Sequence, residues 1–199
     1  MTTRPANARR RSGQRGPDEP TPGSGADLTP PADPESVVRT IVLTALTAAP
    51  RSRAQLEERL AAKDAPPDVV ARVLDRFEEV GLVDDAAFAR SLVRTKQAVR
   101  GLAGRALRQE LRRSGVDDET AAEALDQVDP ETELATARQL VAKRLPSTRG
   151  LPHPKRMARL SGMLARKGYP SGVAFRVVRE ALTAEGSADE DGDGISDGL

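Results

Sequence analysis

Residues 104–116 read Gly-Arg-Ala-Leu-Arg-Gln-Glu-Leu-Arg-Arg-Ser-Gly-Val, and the spacing inside this stretch decides the fold. Leu107 and Leu111 lie four residues apart, which puts both on one face of a helix. Gly115 then stops that helix, because glycine accepts the left-handed backbone that ends such segments. Val116 and Asp117 follow, an apolar residue and then an acid suited to cap the next helix. The same signature occurs twice more. Leu56 and Leu60 precede it by 51 residues, Leu160 and Leu164 follow it by 53, and Gly168-Tyr169-Pro170 repeats the stop.

Working outward, the stretch proves to be the middle of a longer repeat. After it comes an amphipathic helix in each copy. Val69, Val70, Val73, Leu74 and Phe77 correspond to Ala121, Ala124, Leu125 and Val128, and then to Val173, Ala174, Val177, Val178 and Ala181. Before it comes another helix, opened by Asp33-Pro34-Glu35, Asp84-Asp85 or Asp129-Pro130-Glu131. In each case Asp caps free N–H groups, and Pro or an acid suits the first turn. Ser52 and Gln55 form a capping box, Gly81 ends one copy, and Val83 is placed to staple onto Phe88. The third copy carries a loop, Pro146 to His153, that the others lack.

The expected fold is therefore all-α: an elongated array of three tandem three-helix repeats with disordered N- and C-terminal tails. Repeats are expected at 34–83, 84–130 and 131–182. A unit of about 50 residues buries little surface alone, so neighbours are expected to stack and share a core. Residues 1–33 are rich in Pro, Gly and Ser and poor in large apolar side chains, which reads as a disordered arm. Residues 183–199 read as an acidic disordered tail, with six acids and no base from Glu185 onward. Its Asp189, Asp191, Asp193, Gly194 and Asp197 resemble the first half of a calcium loop. The twelfth position, where a bidentate Glu would stand, falls beyond residue 199. No tight calcium site is expected.

Composition narrows the function. Aromatic residues make up 2% of the 199 residues, there is no Cys, and His153 is the single histidine. Disulfides, thiol nucleophiles and Cys-based zinc sites are excluded, and a triad or catalytic zinc would rest on one residue in a proline-flanked stretch. His153 reads as an exposed spacer, and Ser161-Gly162 as a point of close helix approach. Neither an enzyme nor a cofactor is expected. The longest apolar run, around Ile41–Leu46, is too short to span a bilayer, and no apolar stretch follows the Arg-rich N-terminus. A cytoplasmic monomer with no membrane contact is the expectation.

The net charge of +1 hides an asymmetry. Residues 34–83 hold seven basic and eight acidic side chains, 84–130 eight and nine, and 131–182 eleven and three. Candidate binding residues follow from that excess and from helical spacing. Arg90 and Arg94 lie one turn apart, with Lys96 and Arg100 in the same region. Arg105, Arg108 and Arg112 fall at intervals of three and four beside the apolar leucines. Lys155, Arg156, Arg159, Arg166 and Lys167 make a second basic zone. These rows suit the carboxylates of a partner or the phosphates of DNA, single- or double-stranded, although a solvated helix face has the same pattern. Tyr169, Phe175, Phe77 and Phe88 are expected in the core.

Three segments resemble the RecX regulatory protein family. They are Arg51-Ser52-Arg53-Ala54-Gln55-Leu56 with Leu60 and Lys63, then Gly81-Leu82-Val83-Asp84-Asp85-Ala86-Ala87-Phe88-Ala89-Arg90, and residues 104–116. The resemblance covers roughly residues 35–182 and is strongest in the first two repeats. Asp64 stands where Gly is common after Lys63, and Ser114 where Lys is common. The resemblance implies a regulator of the RecA recombinase that lodges along the groove of the RecA–DNA filament. It implies damped ATP hydrolysis, strand exchange and repressor cleavage, and so a part in homologous recombination, DNA repair and the SOS response. From the residues alone, a helix-turn-helix transcription regulator is the alternative, with Ser52–Asp64 and Pro67–Glu79 as its helix pair.

Overall fold

A computed structural model describes residues 33–192, with side chains to residue 187. Among these the chain forms nine α-helices and no strand: α1 (Pro34–Ala48), α2 (Arg53–Ala61), α3 (Pro67–Glu79), α4 (Asp85–Arg100), α5 (Gly104–Arg113), α6 (Asp118–Asp126), α7 (Pro130–Arg144), α8 (His153–Arg166) and α9 (Ser171–Gly192). A short 3-10 turn, Leu145–Thr148, follows α7. The arm before Asp33 and residues 193–199, which include Asp193, Gly194 and Asp197 of the calcium-like run, lie outside the described residues.

The local chemistry explains the boundaries. Asp33, Asp84 and Asp129 accept hydrogen bonds from backbone N–H groups at the starts of α1, α4 and α7, and Asp117 does so for α6. The second helix of every repeat ends in one motif. The residue four positions after its last leucine is left-handed: Asp64 at φ 55°, Gly115 at 74° and Gly168 at 93°. The next N–H then reaches back to that leucine, Ala65 to Leu60, Val116 to Leu111 and Tyr169 to Leu164, each at 3.2 Å. This arrangement satisfies carbonyls that the helix end would orphan. Asp64 carries a side chain in a conformation that glycine adopts more freely.

Six leucines anchor the packing. Leu56, Leu60, Leu107, Leu111, Leu160 and Leu164 are all fully buried and occupy equivalent places. Within each repeat the first and third helices pack together and the second closes against them. The cores are separate, which corrects the expectation of one shared core. One runs from Val38 to Val83, a second from Phe88 to Ala124, and a third joins α7, α8 and α9 and takes in only Ala103 from the repeat before.

Neighbouring repeats meet instead through two equivalent joints. At the first, Ser52 donates its hydroxyl to the Ser114 carbonyl, and the Arg53 N–H donates to Asp85 at 2.8 Å. At the second, the Ala103 N–H donates to the Lys167 carbonyl at 2.9 Å, and the Gly104 N–H to Glu133 at 3.0 Å. In both, the N–H groups that open a second helix are satisfied by the following repeat. Close approach makes this possible: a Cβ on Gly115 would lie 2.2 Å from that of Ala54, and one on Gly168 would lie 2.4 Å from the Ala106 nitrogen.

Several local expectations need correction. The Gln55 N–H donates to the Ser52 hydroxyl oxygen at 3.2 Å, but the Gln55 side-chain oxygen is buried without a partner, so only half of the capping box forms. His153 is exposed but opens α8 instead of standing in the loop. A Cβ on Gly162 would meet only the Arg166 guanidinium, at 3.5 Å, so no helix approaches there. Phe175 is 56% exposed and is not a core residue, whereas Tyr169, Phe77 and Phe88 are buried. Finally, α9 runs past residue 182, where the acidic tail was expected to begin. Glu185 lies on that extension and pairs with Arg149 at 2.8 Å and with Arg156.

Candidate functional site

The outer stripe of α4 presents Arg90, Arg94 and Gln97, at intervals of four and three along one helix face. It borders a cleft of about 260 Å³ between α4 and α6, also lined by Val93, Ala124, Gln127 and Val128. The cleft exists because α6 buries only alanines, Ala121 and Ala124, where α3 buries valines, leucine and phenylalanine. Smaller side chains leave the groove above them unfilled.

Gln97 also lines a second cleft, of about 470 Å³, at the joint of the second and third repeats. Here the end of α4, with Val99, Arg100 and Gly101, faces Thr136, Gln139, Leu140 and Lys143 of α7 and also Lys167. Gly101 is required: it is left-handed, and a Cβ there would stand 3.0 Å from Leu140 and 3.3 Å from Thr136. The third repeat holds the floor in place. Lys167 donates its ammonium to the Arg100 carbonyl, and Tyr169 donates its hydroxyl to the Gly101 carbonyl at 3.3 Å. Burial, assisted by the charge of Glu133, pushes the Tyr169 hydroxyl up to about 12, which keeps it a neutral donor.

The two clefts share Gln97 and are lined by Arg90, Arg94, Arg100, Lys143 and Lys167, with no carboxylate. A concave wall of one sign concentrates the field and attracts an anion from a distance. The amides of Gln97, Gln127 and Gln139 add uncharged hydrogen-bonding groups. Guanidinium, ammonium and amide groups set side by side in this way can hold an anionic group.

The other candidates divide by what they touch. Lys96 pairs with Glu110 at 3.0 Å, and that bond holds the Glu110 carboxyl below its usual range. Arg112 grips Asp118 through two bonds of 2.9 and 3.2 Å, lowering the Asp118 pKa. Arg105 and Arg108 are exposed. The α5 row is thus partly neutralised by its own neighbours. In the third repeat Arg156 points inward to Thr148 and Glu185, while Lys155, Arg159 and Arg166 are exposed. Lys143 and the glutamines were not legible as site residues, because only the fold sets α7 beside the end of α4. The charge excess of the third repeat was the available signal for Lys143. Among the described residues no group of three or more histidines and acids is placed to hold a metal ion, and no helix is long and apolar enough to cross a membrane.

Comparison with known proteins gives a consistent result. Models of the first, second and third three-helix domains of RecX match residues 39–77, 84–125 and 131–178. A regulatory protein RecX from Thermobifida fusca is 53% identical over 171 residues, covering 86% of this chain and 90% of that one. One from Streptomyces coelicolor is 51% identical, covering 81% and 86%. A crystal structure of a regulatory protein RecX superposes with a TM-score of 0.67 at 27% identity, over 75% of this chain and 73% of that one.

Proposed function

The chain belongs to the RecX family of regulatory proteins, and from that premise we propose that it binds the RecA recombinase filament on DNA and restrains it. Restraint means inhibition of filament ATP hydrolysis, strand exchange and coprotease action, which sets the level of recombination and repair. The protein acts as a cytoplasmic monomer and catalyses nothing itself. One observation carries the reading: five cations line two clefts that share Gln97, one within the second repeat and one at its joint with the third, without a carboxylate among the lining residues. Such a surface suits an extended anionic partner, which a filament of protein and DNA is. The helix-turn-helix alternative is disfavoured by α3, which carries Asp68, Asp75, Glu78 and Glu79 on its exposed side and would repel phosphates.

The test is RecA's DNA-dependent ATP hydrolysis with this protein added at substoichiometric ratios. The native chain is expected to slow it. The triple variant R90A/R94A/R100A, with helix content retained by circular dichroism, is expected to lose most of that effect. No slowing by the native chain at any salt concentration refutes the reading, and equal slowing by the variant removes the clefts from it.

A further inference from the structure

The chain has four aromatic side chains, three Phe and one Tyr, and the structure describes all of them. Phe77, Phe88 and Tyr169 are buried at 8% exposure or less, whereas Phe175 is 56% exposed. A phenyl ring left in water forgoes the burial that the other three aromatic side chains gain, so this surface ring calls for an explanation. Its surroundings supply one. Arg179 lies one turn beyond Phe175 on the same face of α9, Gly172 nearly one turn before it, and Arg176 next to it. A Cβ on Gly172 would meet nothing within 4 Å, so the space beside the ring is open. The side chains of Arg176 and Arg179 are exposed and make no hydrogen bond or ion pair among the described residues. The acids on the described stretch of α9 side chains are both engaged, Glu180 with Arg138 at 3.4 Å and Glu185 with Arg149 and Arg156.

We propose that Phe175, with Arg176 and Arg179, forms a stacking site for the bases of single-stranded DNA on the outer face of α9. Every base has a π face, so one exposed ring suffices for a stack, and the guanidinium groups that follow it along the helix hold the adjoining backbone phosphates. A protein partner fits less well. A protein contact is centred on a cluster of apolar side chains, and the other large exposed apolar residues, Val37, Leu43, Val80, Leu82 and Val99, all belong to the first two repeats. This site is separate from the clefts beside α4 and does not depend on them.

The experiment measures binding of the full chain to a fluorescent oligothymidine by anisotropy, with no RecA present. Phe175→Ala, folded by circular dichroism, is expected to weaken binding about fivefold to hundredfold, the worth of one stacked base. Phe175→Tyr, which keeps the ring, is expected to bind like the native chain. An abasic strand of equal length and charge is expected to bind the native chain and Phe175→Ala alike. The proposal is overturned if the native chain does not bind the oligothymidine, or if Phe175→Ala binds it as the native chain does. It is also overturned if Phe175→Ala weakens the abasic strand equally. Should that variant instead lose affinity only for DNA-free RecA, the ring is a protein contact and the proposal again fails. Because the oligonucleotide assay contains no RecA, failure there leaves the filament reading standing.

Discussion

Replacing Gly168 with alanine probes the joint between the second and third repeats. Gly168 sits at φ 93°, and a Cβ there would lie 2.4 Å from the Ala106 nitrogen, 2.7 Å from its Cβ and 3.1 Å from the Ala103 carbonyl. Gly81 supplies the control, since it is also left-handed, at φ 72°, but a Cβ there meets nothing within 4 Å. Both substitutions incur the left-handed cost of about 1–2 kcal/mol. Only Gly168→Ala adds a clash with backbone atoms that cannot swing aside, worth roughly 1–3 kcal/mol more if the joint moves to relieve it. Gly81→Ala is therefore expected to cost about 1–2 kcal/mol and Gly168→Ala roughly 2–5 kcal/mol. In urea, with a slope near 2 kcal/mol per molar, the two midpoints separate by about 1 M. Native-state hydrogen exchange locates the damage: the Ala103 amide, whose acceptor is the Lys167 carbonyl, loses protection in Gly168→Ala and keeps it in Gly81→Ala. Equal urea midpoints for the two variants would refute the claim that the repeats are locked through this turn.

Two further outcomes follow from the same geometry. Asp64 is the only left-handed residue other than glycine among the described residues, so Asp64→Gly is expected to raise stability by about 0.5 kcal/mol, whereas β-branched Asp64→Val lowers it by about 1–2 kcal/mol. The opposite order by thermal melting contradicts the assignment of this turn. Glu185 is held below its usual carboxylate range by the bonds from Arg149 and Arg156. A depressed carboxyl contributes stability at pH values above its unfolded pKa and loses it as pH falls through the folded value. Glu185→Gln is thus expected to speed amide exchange over residues 183–187 at neutral pH, and the difference from the native chain is expected to shrink once pH drops below about 4. Unchanged exchange at neutral pH means that this carboxylate does not fasten α9.

The sequence by itself determined the repeat. Leucines four residues apart, an acid before each first helix and a glycine after two of the second helices are local signals, because capping, helical periodicity and left-handed turns involve residues within one or two turns of each other. What lies between repeats was decided only by the tertiary structure. That the cores are separate, that Asp85 and Glu133 cap the helices of the preceding repeat, and that Arg156 is bound internally while Arg90 and Arg94 flank an open cleft all depend on contacts across many residues of chain. Phe175 makes the same point from the other side. Its position beside Ala174 and Val177 looks apolar and internal, yet the rotation of α9 against α7 and α8 buries those neighbours and turns the ring to water. Spacing fixes which residues share a helix face, but which face is covered depends on the partner helices, and no single helix encodes where they lie.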